Sequence, residues 1–485
     1  MAYGIGIFGS QLIIYVMLPF LTRYMPQEEY GVVSVITAIY AFLNNLTNAG
    51  LPAATFRYYH TGEGASDQRT TIGASQFLFF LFAFLPATGV LFFPESVSAL
   101  LLGSGQYALV LQVVACFLVI NSMNTFGSVI LRIRVRPFVS SIHNIILIAC
   151  KTGITLLFVI AYARGILGYW LGQLMGEMIG LLFMLWFIRR DIVFQVSWSR
   201  VMDLVKFGFP LIPATLSMNI LRISDRYIVG ALAGLEQVAV YDVGYKIGTI
   251  ILFLIIPFRM AWIPFAFSVA DQPEAPKIYR DVLTYIAAGC SFLILGVVAF
   301  RVELIHNIAP ATYSQAVTVV GWVAASQLFL AAYHIFSVGP MYLNKTRSLV
   351  WIALIAAGIN LLLNFVLIPR IGIVGAAIAT FVGYLVLAVL TYNLDNRIMP
   401  IFIDWKRLSR LLLSSGLILL ITWAVDNLMI NPWTKIGFKA LGLLLFPVIL
   451  FLVGFVSRAQ GKEILELGKS MVNKRMGKTE EQILQ

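Results

Sequence analysis

The chain has 485 residues, of which 60% are hydrophobic and only 12% charged, with a formal net charge of +12. Soluble domains run about 45–50% apolar and about 25% charged, so this composition lacks the polar surface to cover a water-soluble globule. It excludes a soluble protein and selects lipid as the solvent.

The apolar runs are long and continuous, as over 288–300 and 411–424. A helix crosses a hydrocarbon core about 30 Å thick with about 20 mostly apolar residues, whereas barrel strands alternate in segments of roughly ten. Continuous runs therefore predict an all-α integral membrane protein with about 14 transmembrane helices. Breaks of Pro, Gly and charge place these spans near 2–22, 31–55, 72–94, 107–131, 138–162, 166–188 and 206–228. The remainder fall near 237–260, 281–303, 314–338, 348–368, 373–395, 408–426 and 436–456, before a charged tail over 458–485. The first Lys or Arg is Arg23, so the opening segment reads as a span with a slightly shortened start rather than as a cleavable signal.

With the N-terminus on the cytoplasmic side, 23 of the 34 Lys and Arg fall in inner loops and the tail. Six fall in outer loops, namely Arg23, Arg164, Arg301, Arg370, Lys435 and Lys439 (the last two around the start of the final span), and five inside spans. The positive-inside rule then puts both ends in the cytoplasm, in keeping with an even span count. The same bias accounts for the net charge without nucleic acid.

A repeat runs through the chain. Leu21-Thr22-Arg23-Tyr24 is echoed by Ser224-Asp225-Arg226-Tyr227, Glu28 by Glu236, and Gly165-Ile166-Leu167-Gly168 by Gly372-Ile373-Val374-Gly375. The offsets are 203, 208 and 207 residues. Six spans separate the copies, so the halves share one orientation, as in transporters whose lobes rock about a central site. The expected units are an N-lobe over 1–200, a C-lobe over 201–397, two further spans over 398–457, and the tail.

Cys116, Cys150 and Cys290 each sit inside an apolar run and read as small core residues, and the four histidines are scattered. No Walker loop, GxSxG or HExxH occurs in the sequence. A transporter without catalytic site, metal or cofactor is the expectation.

The segment Leu18-Pro19-Phe20-Leu21-Thr22-Arg23-Tyr24-Met25-Pro26-Gln27-Glu28-Glu29-Tyr30-Gly31 resembles the first hairpin of bacterial polysaccharide (Wzx-type) flippases. Phe207-Gly208-Phe209-Pro210-Leu211-Ile212-Pro213, Ser224–Gly230 and Tyr241-Asp242-Val243-Gly244-Tyr245-Lys246-Ile247 are similar to their seventh and eighth spans. The resemblance implies the multidrug/oligosaccharidyl-lipid/polysaccharide (MOP) exporter superfamily. It further implies two six-helix lobes around a V-shaped cavity, formed by spans one, two, seven and eight, and flipping of undecaprenyl-diphosphate-linked sugars. Family members usually carry a short basic segment before the first span, which this N-terminus lacks.

Such a substrate has an anionic diphosphate, a polar glycan and an apolar tail. Its headgroup needs a hydrated path with cations and hydrogen-bonding groups. Charges inside spans are costly, about 2.5–3.5 kcal/mol each on insertion scales, so they face a cavity or a partner. Arg222 and Arg226 lie four apart on span seven, with Asp225 in reach of Arg222. Arg226 either faces the cavity or snorkels to the outer interface. Asp242 and Lys246, four apart on span eight, read as a closed ion pair or as a phosphate-binding lysine released when substrate arrives. Arg57 closes span two as an inner anchor or as a first diphosphate contact. Asn44 and Asn48 share a face suited to sugar hydroxyls or to helix contact. The candidate substrate ligands are therefore Arg57, Arg222, Arg226, Lys246, Asn44 and Asn48.

Lys151 and Glu177, near the middles of spans five and six, are expected to pair structurally. Together with Asp225 and Asp242 they form the candidate coupling or gating pairs, with H+ or Na+ as driving ion. Pro210, Pro213 and Pro257 predict bent helices.

A drug or cation antiporter of the same superfamily is the runner-up, opposed by the excess of deep cations over deep acids. A lipid II-type flippase shares the substrate chemistry. A membrane glycosyltransferase or polymerase would need a larger outer loop or an acidic metal site. The implied partners are a lipid-linked glycan, membrane lipids and polysaccharide assembly enzymes, in a bacterial or archaeal cytoplasmic membrane.

Overall fold

The computed structural model describes residues 2–48, 50–62, 64–193, 195–397, 399, 401–428 and 431–455. The tail expected over 458–485 lies outside them. The first half comprises α1 (Ala2–Tyr24), α2 (Gln27–Asn48), α3 (Leu51–Thr61), α4 (Ala65–Phe92), α5 (Pro94–Leu102), α6 (Ala108–Ile133), α7 (Pro137–Leu156) and α8 (Gly165–Ile188). Helix α9 (Trp198–Gly208) leads into α10 (Ile212–Ala233), α11 (Leu235–Gly248), α12 (Leu252–Val269), α13 (Ala275–Ala299) and α14 (Arg301–Ile308). Then follow α15 (Val317–Phe336), α16 (Val338–Tyr342), α17 (Thr346–Ile371), α18 (Ile373–Asp395), α19 (Trp405–Asn427) and α20 (Pro432–Leu452). No strand occurs among the described residues.

Twelve helical stretches among the described residues are long and apolar enough to cross a membrane. A thirteenth is the pair Trp198–Leu211 and Thr215–Ala233, bent by 54°. The protein is thus an all-α, multi-pass membrane protein. The expected count was fourteen. The remaining one, 2–22, falls on α1, whose apolar stretch Ile13–Tyr24 is shorter than the rest.

Some boundaries shift for a physical reason. Helix α2 starts at Gln27 rather than 31, with Glu28 and Glu29 in its first turn. Helix α4 starts at Ala65 rather than 72, with Asp67 in its first turn. Carboxylates favour the positive end of the helix dipole, so these charges open helices instead of interrupting them. Pro210 and Pro213 sit in the short turn before α10 and in its first turn, where a missing N–H is tolerated. The 54° bend lies there.

In the first half, α7 and α6 pack on α8, α4 on α6, and α1 on α7. In the second, α10 packs on α17, α17 and α15 on α18, and α13 on α15. Helix α2 packs chiefly across the halves, against α10 and α11. Helices α19 and α20 pack on each other and on α13, around Leu295, Leu411, Ile418 and Phe446. Lys439, assigned above to an outer loop, is inside α20 and 1% exposed. It stands 2.7 Å from Glu303 and 2.6 Å from Asp426, because only paired charge is tolerated at that depth.

The two halves meet closely along one seam. Thr22 Oγ1 donates to the Ile308 carbonyl at 3.0 Å and Arg23 to the Asn307 carbonyl at 2.8 Å. Gln27 donates to the Glu236 carbonyl at 3.3 Å. At Gly31 a methyl would fall 1.9 Å from the Leu235 carbonyl oxygen, so only glycine permits this approach of α2 to α11. At the other end of α2, Gly50 (φ +74°) would place a methyl 2.4 Å from the Gly208 backbone.

Candidate functional site

Helices α10 and α11 form a hairpin turned at Gly234 (φ +94°). Arg226 stands seven residues before Ala233 and Asp242 seven after Leu235. At about 1.5 Å per residue both lie about 10 Å from the turn, so they face each other across the hairpin. Arg226 Nε approaches Asp242 Oδ1 to 2.9 Å. Its Nη1 lies 3.2 Å from Asp225 Oδ1 and also donates to the Arg222 carbonyl at 3.1 Å. The guanidinium stacks over the Tyr245 ring, 4.2 Å from the centroid. Asp225 accepts further bonds from the Tyr241 hydroxyl, the Arg226 backbone N–H at 2.9 Å and Thr380 Oγ1 at 3.3 Å.

Lys246 Nζ lies 2.7 Å from Asp242 Oδ2. It also donates to the Tyr30 hydroxyl at 2.7 Å, which in turn donates to Asp242 Oδ2 at 2.9 Å. Tyr30 comes from α2, so the cluster joins both halves of the chain.

The cluster is graded in exposure. Arg226, Asp225 and Asp242 are buried, while the Lys246 side chain is 26% exposed and Arg222 is exposed. Arg222 does not pair with Asp225, the partner in reach by spacing. It donates to the neutral Asn219 Oδ1 at 2.9 Å, because Asp225 turns toward Arg226, Tyr241 and Thr380. Three cations and two carboxylates therefore share this depth of the hairpin, leaving one positive charge uncompensated there; the hairpin's third carboxylate, Glu236, lies six residues before Asp242 in the first turn of α11.

Other expected residues lie elsewhere. Asn48 donates to Asn44 Oδ1 at 2.7 Å and accepts from Ser122 at 3.2 Å, so this face of α2 is engaged with α6. Arg57 is exposed on α3, over the Phe207 ring at 4.8 Å. Lys151 Nζ meets Glu177 Oε2 at 2.8 Å across α7 and α8. Glu177 is buried and its other oxygen accepts from Asn121 at 2.9 Å and Asn124 at 3.0 Å.

Sequence reasoning missed Tyr30, Tyr241, Tyr245 and Thr380. Tyr241 and Tyr245 flank Asp242 at helical spacing, a signal that was present. Tyr30 and Thr380 come from distant segments. An apolar cleft of about 580 Å³ lies beside α10, lined by Phe42, Val90, Ile223, Tyr227, Leu361 and Phe365.

The sequence model of the family described as polysaccharide biosynthesis protein matches residues 1–270, more than half of the 485. The chain belongs to that family. Among curated proteins, none matches it. Among solved structures, the fold is similar to that of the lipid II flippase MurJ in an inward closed conformation. The TM-score is 0.74 at 15% identity, covering 93% of this chain and 98% of that one. An inward-facing multidrug resistance MATE family transporter of the MOP superfamily has TM-score 0.65 at 16% identity, covering 80% and 94%. A MOP superfamily transporter from Pyrococcus furiosus has TM-score 0.58 at 14% identity, covering 82% and 94%. These likenesses are of fold: this polysaccharide biosynthesis family member shares its helical architecture with the flippase and the transporters named.

Proposed function

We propose that this chain flips an undecaprenyl-diphosphate-linked oligosaccharide, such as a polysaccharide repeat unit, from the inner to the outer leaflet by alternating access. The observation that carries this reading is the uncompensated positive charge of the Arg222, Asp225, Arg226, Asp242 and Lys246 cluster, with Arg222 exposed and Lys246 half-buried. Arg222 is eleven residues before Ala233 and Lys246 eleven after Leu235, so the two stand at one depth. A diphosphate supplies the missing anion, while the tail stays in lipid. A cationic drug would meet repulsion at the same place.

In this reading the two halves, 1–200 and 201–397, are lobes that rock about α2, α10 and α11, and α19–α20 attach to the second. On the same reading both termini face the cytoplasm, in keeping with the lysine and arginine bias, and the membrane crossed by the substrate is the cytoplasmic one. Asp225, Asp242 and the Lys151–Glu177 pair are the candidates for H+ or Na+ coupling. Transport in vesicles that ignores both gradients would remove that coupling.

The test is flipping of a fluorescent undecaprenyl-diphosphate-linked saccharide by reconstituted protein. A hydrogen bond to a charged group contributes about 1.5–3 kcal/mol, so Arg222→Ala and Lys246→Ala should each slow flipping by roughly tenfold or more. Unchanged rates in both variants, at equal protein, would sink the proposal. Parallel arms with lipid II and with a longer repeat unit assign the glycan.

A further inference from the structure

Tyr30 occupies an unusual position between the seam and the charges. Its side chain belongs to the first half, is fully buried, and rests edge-on against Tyr313 at 6.3 Å. Its hydroxyl closes a three-membered ring with Lys246 and Asp242, donating to the carboxylate at 2.9 Å and accepting from the ammonium at 2.7 Å. The next residue, Gly31, is the position where α2 presses hardest on the Leu235 carbonyl. Gln27, one turn earlier, donates to the Glu236 carbonyl. One side chain thus connects a half-buried cation to the backbone contact that holds the halves together.

We propose that Tyr30 couples loading of the cation pocket to release of the seam between the two halves. This rests on the flippase reading above. When an anionic diphosphate draws the Lys246 ammonium away from Asp242, the Tyr30 hydroxyl loses its donor. Asp242 keeps Arg226 as partner, so α10 and α11 stay joined, while Tyr30 drops from two hydrogen bonds with α11 to the one it donates to Asp242, which loosens α2 from α11. The pocket therefore reports its occupancy through one phenol rather than through the ion pairs. Tyr30 is a positioning residue: it touches Lys246 and Asp242, and acts on the seam through them.

The experiment uses full-length protein in vesicles, with Cys116, Cys150 and Cys290 changed to alanine. A cysteine pair is introduced as Gln27→Cys with Glu236→Cys, and the disulfide-forming rate reads seam closure. The probe is undecaprenyl diphosphate in the vesicle, its binding measured separately. With Tyr30 present, the probe should slow crosslinking by roughly tenfold, the factor matching loss of one charge-assisted hydrogen bond. In Tyr30→Phe the probe should still bind and the rate should not respond to it. Lys246→Met provides a second variant, with crosslinking already slow and independent of probe. Tyr30→Phe responding as the parent does, or Lys246→Met crosslinking at the parent's probe-free rate, overturns the coupling alone. A parent that binds no probe overturns the flippase reading and the coupling with it.

Discussion

Arg226 Nε and Asp242 Oδ1 lie 2.9 Å apart, each seven residues from opposite sides of the Gly234 turn. The register of one hairpin therefore decides which charges neutralise each other. Asp242 is shared between Arg226 and Lys246, and Asp225 is held by Arg226, Tyr241 and Thr380. Arg222 is left with a neutral amide. Stability and transport should therefore separate along the hairpin.

Asp242→Ala leaves Lys246 with only the Tyr30 hydroxyl and Arg226 with Asp225 as its one remaining carboxylate. Removing one partner of a buried pair costs about 3–5 kcal/mol, so this variant should unfold at markedly lower temperature in detergent or fail to accumulate. Arg222→Ala removes an exposed side chain whose partner is neutral, and its melting temperature should stay close to the parent's. Its flipping rate should nonetheless fall. Equal thermal stability of Asp242→Ala and Arg222→Ala would contradict the partition.

The second buried cluster carries a stability prediction of its own. Glu177 holds Lys151, Asn121 and Asn124 at one point between α6, α7 and α8. Glu177→Ala strands three polar groups and should destabilise by about 3–5 kcal/mol, whereas Glu177→Gln retains acceptor and shape and should lose less. Thermal unfolding of the two variants side by side checks the order.

What was legible in the sequence follows from what local spacing encodes. Apolar runs fixed the helices, because the bilayer sets their length. Pairs along one helix, Asp242 with Lys246, and across an adjacent hairpin, Lys151 with Glu177, were legible too. Arg222 with Asp225 failed: their spacing allowed a pair, but Arg226, Tyr241 and Thr380 compete for the carboxylate. Tyr30 was invisible because its partners are more than 200 residues away, at |i−j| of 212 and 216. Lys439 was misplaced because a lone lysine near a span end looks like a loop residue until Glu303 and Asp426 are brought beside it.

Gly31→Ala tests the seam itself. A methyl there would sit 1.9 Å from the Leu235 carbonyl oxygen, and backbone on both sides leaves no flexible group to yield. Overpacking of this kind costs about 1–3 kcal/mol, felt as separation of α2 from α11. Crosslinking between cysteines at Gln27 and Glu236 should slow even without substrate. Gly89→Ala, where nothing lies within 4 Å of the added methyl, is the matched control and should leave crosslinking unchanged.

Lys439 ties the last two helices to the rest. Its ammonium, on a side chain 1% exposed, is bound by Glu303 after α13 and by Asp426 at the end of α19. Lys439→Met would set two carboxylates side by side with no cation between them. Glu303 and Asp426 are 24% and 33% exposed, so water relieves part of the repulsion. The cost should be nearer about 1–3 kcal/mol than that of a fully buried pair. The lowered melting temperature should be largely restored by adding Glu303→Gln and Asp426→Asn, which remove the repulsion without returning the lysine. A triple variant no more stable than Lys439→Met alone would mean that the lysine acts through its packing stem and not through its charge.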